Sequence, residues 1–345
     1  MNKKIKMKDI GYMIDIFEYM KPYFKVKALH AAFELGLIQR LMNHEGHMTK
    51  EALCRGIDSN KGRCSFILRV LGSYKIIHIK KEEVYLSANF IRDYTSYGVV
   101  MLQTIKYMNL AYRDFESLDS LNRIGDSRGL ISNFWKKENS KGFSAFMSVF
   151  SKLELNEICK IFDFSRCKHV LDIGGNDGEF VLGLCQLYPP IKGSVVDRPL
   201  VCQLGRKKLR HFPESQRIEF LPGDFLVDDF PKTADLIVFK SVLNDWNDAK
   251  VILLLQKAYR ALLPGGRIII IEFMTDGGDD DDKRLFEIAF QYLIGPEGYG
   301  RFRRGVEYGR FLKQAGFNHI RLQKMRMMNF SLIVAHKGKS EKAVT

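Results

Sequence analysis

Four apolar runs in the second half of this chain each end in residues that can hold a polar ligand. Val170-Leu171-Asp172-Ile173 runs into Gly174-Gly175-Asn176-Asp177-Gly178. Ser194-Val195-Val196 stops at Asp197, Ile218-Glu219-Phe220-Leu221 precedes Asp224 and Phe225, and Leu236-Ile237-Val238-Phe239 ends at Lys240 and Ser241. A short apolar run bounded by turn residues reads as a buried strand. After the glycine turn, Phe180, Val181, Leu184 and Leu187 fall at helical spacing. Strand, glycine turn and helix form the opening unit of a nucleotide-binding α/β sheet. Glycines let the backbone approach a ligand, and the helix start offers free N–H groups. The turn departs from the full GxGxxG spacing, since Asn176 stands where a further glycine would be. Asp197 lies near the roughly 20-residue spacing at which a second-strand carboxylate meets a ribose hydroxyl pair. Four polar strand ends suit one adenosine-containing ligand at the carboxyl edge of a sheet.

Together these pieces resemble the class I S-adenosylmethionine-dependent methyltransferases. Within that class the chain is similar to the dimeric small-molecule O-methyltransferases of plant phenolic and bacterial antibiotic pathways. The matching segments are VLDIGGNDGEF, SVVDRPLV, FLPGDFL, DLIVFKSVLNDWNDAKVILLLQKAYRALLPGGRIIIIE and EYGRFLKQAGF, in the family's order. The resemblance implies a Rossmann-like doubly wound sheet behind an N-terminal, mostly helical winged-helix dimerisation domain. It implies S-adenosylmethionine as cofactor. Asp172, Gly174 and Gly175 would surround its methionine part and Asp197 its ribose. Asp224 and Phe225 would meet its adenine, with Lys240 and Ser241 nearby.

Methyl transfer from a sulfonium is an in-line displacement. Positioning alone can supply roughly 7–11 kcal/mol in well-oriented systems, and a nearby base typically adds about 10²–10⁴-fold. In the family the base is the histidine of a His-Asp-Trp triplet after the fourth strand, oriented by two glutamates. Here the triplet reads Asn244-Asp245-Trp246. Glu272 matches the first orienting acid, and Phe302 falls at the second. Asparagine cannot accept a proton at physiological pH. On this resemblance Asn244 and Glu272 are the catalytic candidates and face the acceptor. Phe143, Met147, Phe290, Tyr292 and Phe302 are candidate pocket walls, which would prefer a flat, apolar or aromatic substrate.

Three readings follow. The enzyme methylates by proximity, on an acceptor that needs no strong base. Alternatively the fold is redirected to C- or N-methylation, or to hydroxylation, decarboxylation or rearrangement. Or the chain is a non-enzymatic dimer. The intact Asp197, Asp224, Lys240 and glycine turn favour the first.

The elements that must position these residues fall into three parts, expected at 1–97, 98–155 and 156–345. In the first, Ile14, Phe17, Met20, Leu29, Ala32, Leu35, Ile38 and Leu41 follow helical spacing across residues 10 to 42. Thr49 can cap a short helix. A further helix is expected from Lys61 to Tyr74, then two short strands around Lys80-Lys81-Glu82-Glu83. Three helices and a hairpin make a winged-helix pattern, which in other proteins binds DNA. The attached methyltransferase-like half favours dimerisation instead. The middle part is expected to be helical and to roof the substrate cavity, as in the resembling family.

Composition constrains the rest. A chain of 345 residues has room for two domains. The net charge of +14 is dispersed, and no nucleic-acid motif accompanies it. No apolar run reaches the roughly 18 residues of a membrane span. The basic N-terminus lacks a secretory apolar core, so a cytoplasmic enzyme is expected. Cys54, Cys64, Cys159, Cys167, Cys185 and Cys202 contain no CxxC pair and are expected to be reduced core residues. The run Asp279-Asp280-Asp281-Asp282 reads as a solvated loop. No histidine pair has metal-ligand spacing with a third ligand, so no metal is expected.

Overall fold

The computed structural model describes residues 8–57, 62–115, 137–276, 302–326 and 330–338. The chain divides into two units, Met1–Leu110 and Ala111–Thr345.

In the first unit the expected helical stretch is two helices, α1 (Lys8–Glu34) and α2 (Leu37–Asn43). Gly36, at φ +70°, breaks them apart in a left-handed turn that a residue with a Cβ resists. Strand β1 (His47–Thr49) leads into α3 (Lys50–Cys54). The Thr49 hydroxyl caps α3 by accepting the Ala52 N–H at 3.2 Å. Helix α4 (Gly62–Ser73) precedes β2 (Ile77–Lys80) and β3 (Glu83–Leu86). The strands form an antiparallel sheet in the order β1-β3-β2. Leu37, Ile38, Leu41, Leu53, Leu68, Leu71 and Val84 are fully buried at its core.

One expectation fails here. Cys54 and Cys64 are joined in a disulfide, with Cα atoms 5.8 Å apart. The end of α3 and the start of α4 meet although ten positions separate the two cysteines. The other four cysteines are free thiols. Helix α5 (Ala88–Phe115) departs from helical geometry at Tyr97 and crosses the division between the units. The segment 98–155 is thus shared between both units.

The second unit opens with α6 (Lys137–Ile161) and β4 (His169–Ile173). Next come α7 (Glu179–Leu187), β5 (Lys192–Asp197), α8 (Pro199–Leu209), β6 (Ile218–Pro222) and β7 (Leu236–Lys240). Then α9 (Asp248–Ala261), β8 (Arg267–Phe273), α10 (Gly305–Ala315), β9 (Asn318–Lys324) and β10 (Phe330–His336) complete it. The sheet order is β6-β5-β4-β7-β8-β10-β9. Strands β4 to β8 are parallel, and β10 is antiparallel to both its neighbours.

Alternation along each strand assigns side chains to two buried layers. Val170, Leu236, Val238, Ile269 and Ile271 join one, with Phe180, Val181 and Leu184 of α7. Leu171, Ile237, Phe239, Ile268 and Ile270 join the other, with Val251, Leu254, Leu255 of α9 and Tyr308 of α10. Both faces are covered, which is why these strands are nearly continuous apolar runs. From β4 the chain winds outward in both directions. A crevice opens at the carboxyl ends of the strands where that reversal occurs, and ligands of open α/β sheets bind there. No helix of the described residues is long and apolar enough to cross a membrane.

Candidate active site

A cavity of about 670 Å³ occupies that crevice. The strand ends supply Asp172, Gly174, Gly175, Asp197, Asp224, Phe225, Lys240 and Ser241, all of which line it. Phe143 and Met147 of α6 line it too. Phe290 and Tyr292 lie outside the described residues.

The glycine turn is built for close approach. Gly174 has φ +69°, and a Cβ on Gly175 would fall 2.6 Å from the Asp172 carboxyl. Asn176 takes φ +55°, a conformation that asparagine tolerates better than most residues with a Cβ. Its N–H donates to Asp197 Oδ2 at 2.9 Å, and its side-chain amide donates to the Ser144 carbonyl on α6 at 2.9 Å. The departure from GxGxxG therefore ties the turn to both neighbours. Asp197 Oδ1 accepts the Arg198 N–H at 2.8 Å, and burial raises its pKa. Ser241 also has φ +55°, so two residues of the cavity wall sit in a sparsely populated backbone region.

Asp172 is buried beneath this turn, and its Oδ1 has no hydrogen-bond partner. Burial pushes its pKa up to about 7, opposed by the nearby Lys240. A buried, unpartnered carboxylate oxygen under a glycine cradle calls for a donor from a ligand. Lys240 reaches down to Glu154 of α6 at 2.8 Å. Glu154 is fully buried and its Oε1 is unpartnered. Two acids and a lysine suit the ammonium and carboxylate of an amino-acid moiety, and Asp197 suits a ribose. These residues fit S-adenosylmethionine.

The second part of the site corrects the expectation for Asn244 and Glu272. Neither lines the cavity, and both are buried. Asn244, in a short 3₁₀ turn (Leu243–Asp245), donates from Nδ2 to Glu272 Oε2 at 2.8 Å. Its Oδ1 accepts from the Tyr308 hydroxyl at 2.8 Å. Glu272 Oε1 accepts the Val242 and Leu243 N–H groups at 2.8 and 2.7 Å. Burial pushes the Glu272 pKa up to about 8, against the pull of those two N–H groups, while the charge of Asp245 adds to the rise. A neutral amide has a donor and an acceptor at one tip, so it can bridge an acid and a phenol inside the protein. Phe302 is corrected as well. It is buried against Phe273, ring centres 5.4 Å apart, and does not line the cavity.

Sequence reasoning passed over Asp245 and Trp246, which line the cavity from the same turn. Their place in the quoted triplet was the available signal. Glu154 offered none, as one acid among many on a helix.

Removing Asn244 strands two buried polar groups, each costing about 1–3 kcal/mol. Asn244→Ala should lower the stability of the second unit by roughly that much in urea unfolding and leave donor binding unchanged. A midpoint like that of the wild type would show that the bridge contributes nothing.

The O-methyltransferase domain model matches residues 131–318. The chain belongs to the O-methyltransferase family. It is 26% identical to the mitomycin biosynthesis 6-O-methyltransferase of Streptomyces lavendulae, over 85% of each chain. It is 28% identical to the acetylserotonin O-methyltransferase of Bos taurus, over 91% of this chain and 94% of the other. The crystal structure of human N-acetylserotonin methyltransferase in complex with SAM superposes with a TM-score of 0.76. That match covers 98% of this chain and 100% of the other at 22% identity. This methyltransferase therefore uses S-adenosylmethionine, which supplies an electrophilic methyl group. Asp172, Asp197, Lys240 and the glycine turn are the residues on hand to hold it.

Proposed function

We propose that this methyltransferase acts on a hydroxyl of a small, flat, aromatic or polyketide-like specialised metabolite, without a histidine base. The cavity carries the reading. Besides the polar strand ends that fit the donor, its walls include Phe143, Met147, Leu226 and Trp246, and apolar walls of this kind select flat apolar ligands. No histidine among the described residues lines it. The relative named for 6-O-methylation in mitomycin biosynthesis supports the same class of acceptor.

Donor binding is tested at Asp197. Removing it deletes charge-assisted hydrogen bonds worth roughly 1.5–3 kcal/mol and frees the Asn176 N–H that it pins. Calorimetry on Asp197→Ala should show S-adenosylhomocysteine bound at least about tenfold more weakly. Unchanged affinity would place the donor elsewhere. Mass spectrometry of products formed with a labelled methyl donor then separates transfer from redirected chemistry.

The proposal includes a homodimer assembled through the first unit. Phe66 is 67% exposed and Ile79 40% exposed there, apolar area that a partner surface would cover. Light scattering should give twice the chain mass at micromolar concentration. A monomer at that concentration would rule the dimer out.

A further inference from the structure

The turn that buries Asn244 directs its neighbour the other way. Asp245 lines the cavity beside Trp246, whose ring meets Phe225 edge-on at 5.8 Å between centres. Its backbone N–H donates to the Val242 carbonyl at 3.3 Å. Its carboxylate has no hydrogen-bond or ion-pair partner among the described residues. Of the other acids of the cavity, Asp197 accepts two backbone N–H groups and Asp224 accepts the Leu226 N–H at 2.9 Å. Asp172, whose Oδ1 is also unpartnered, lies beside Lys240 on the glycine-turn side that fits the donor.

We propose that Asp245 accepts the proton of the methyl acceptor, and that the acceptor is therefore an acidic hydroxyl, a phenol or an enol, and not an aliphatic alcohol. This rests on the methyl-transfer reading above. In the step, the acceptor O–H bond breaks and its proton passes to the Asp245 carboxylate. The oxygen lone pair forms the bond to the methyl carbon. The carbon–sulfur bond breaks and leaves its pair on sulfur, so the sulfonium becomes a neutral thioether. Asp245 then returns the proton to solvent.

The acidity of the two partners decides the acceptor class. Burial without a partner pushes the Asp245 pKa up to about 7. A base works best when its pKa lies near the operating pH. A phenol with pKa about 10 is within its reach, whereas a hydroxyl near water in acidity, about 16, is not. Among the described residues, the charged groups around Asp245 are few. Glu272 on β8 couples to it from behind. Arg303 brackets the turn but is held by Asp248 and by the Leu243 and Trp246 carbonyls. Across the cavity stand Asp172, Asp197, Arg198, Asp224 and Lys240.

The test uses the full chain and Asp245→Asn, which keeps shape and removes an unpaired charge. Calorimetry should show S-adenosylhomocysteine bound within about twofold of wild type. With labelled S-adenosylmethionine and a series of naphthols and ring-substituted phenols, wild-type rate should rise with pH and level off above about 7. Asp245→Asn should lose about 10²–10⁴-fold and that acidic limb. Benzyl alcohol should not react. Without any ligand, infrared difference spectra should show a protonated-carboxyl signal that disappears as pH passes about 7, from Asp245 and Asp172 together, full in wild type and Glu272→Gln but reduced in Asp245→Asn. An undiminished signal in Asp245→Asn, or activity within about threefold of wild type, overturns the proposal. If S-adenosylhomocysteine binds but no phenol accepts a methyl, the acceptor class is wrong while the donor site stands. If it does not bind to wild type, the methyl-transfer reading itself falls.

Discussion

Glu154→Ala should destabilise the second unit by about 3–5 kcal/mol, the usual cost of breaking a buried ion pair from one side. Glu154 is fully buried, and the Lys240 side chain is 6% exposed. Truncation leaves the ammonium in a low-dielectric site with the acids Asp172 and Glu272 still near it. Asp172 offsets part of the loss, but it is already desolvated, so most of the penalty remains. Replacing both partners with apolar residues, Glu154→Leu with Lys240→Met, removes the stranded charge. Such double replacements are often neutral or stabilising. The double variant should recover most of the urea midpoint. Donor affinity separates the two effects, because Lys240 lines the cavity: the double variant should be stable yet bind S-adenosylhomocysteine poorly. A single variant that loses less than about 1 kcal/mol would mean that the pair behaves as a solvated one.

What could be read from the chain, and what could not, follows from burial and range. Strands β4, β5, β7 and β8 are covered on both faces, so each announces itself as an apolar run. The residues proposed to hold the donor sit at the ends of such runs or in a turn with its own glycine signature, and the fold brings them to one cavity. β9 carries no comparable signal. Asn318, Arg321, Gln323 and Lys324 give it a polar, mostly exposed edge, and pairing with β10 alone makes it a strand.

Long-range partners were hidden for the same reason. Glu154 and Lys240 are 86 positions apart, and a glutamate on a helix is ordinarily a solvated residue. The direction of Asn244 was also out of reach. The resemblance supplied a position for a lost base, but not which side chain of a tight turn faces the cavity. Tyr308 and Glu272 together satisfy the amide of Asn244, so the inward choice follows from partners that arrive from two other elements. The disulfide illustrates the same limit, since ten positions between Cys54 and Cys64 say nothing about whether α3 and α4 meet.

Arg303→Ala should cost about 3–5 kcal/mol and disable transfer as well. The guanidinium is fully buried. Its Nε and Nη2 donate to Asp248 Oδ1 at 2.9 and 2.8 Å, Nη1 donates to the Leu243 carbonyl at 3.1 Å, and Nη2 also donates to the Trp246 carbonyl at 2.6 Å. One side chain thus fastens both ends of the turn that carries Asn244, Asp245 and Trp246. Charge-assisted bonds of this kind contribute roughly 1.5–3 kcal/mol each, and of the carbonyls left behind that of Leu243 is buried and that of Trp246 partly buried. The catalytic consequence follows from position, not charge. A displacement of about 1 Å at a reacting group can cost about 10²-fold, and Asp245 and Trp246 are the cavity residues most directly held. The hydrogen bonds of Arg303 to Asp248, Leu243 and Trp246 fix the turn after β7 and not the ends of β4 and β5, so S-adenosylhomocysteine affinity should fall much less than the transfer rate. Arg303→Lys is the sharper variant. It keeps the charge, but one ammonium cannot span Asp248 and two carbonyls as a planar fork does. It should recover part of the stability and little of the rate. Full recovery of both with lysine would show that the turn needs only a cation beneath it, and not the fork that holds it at three points.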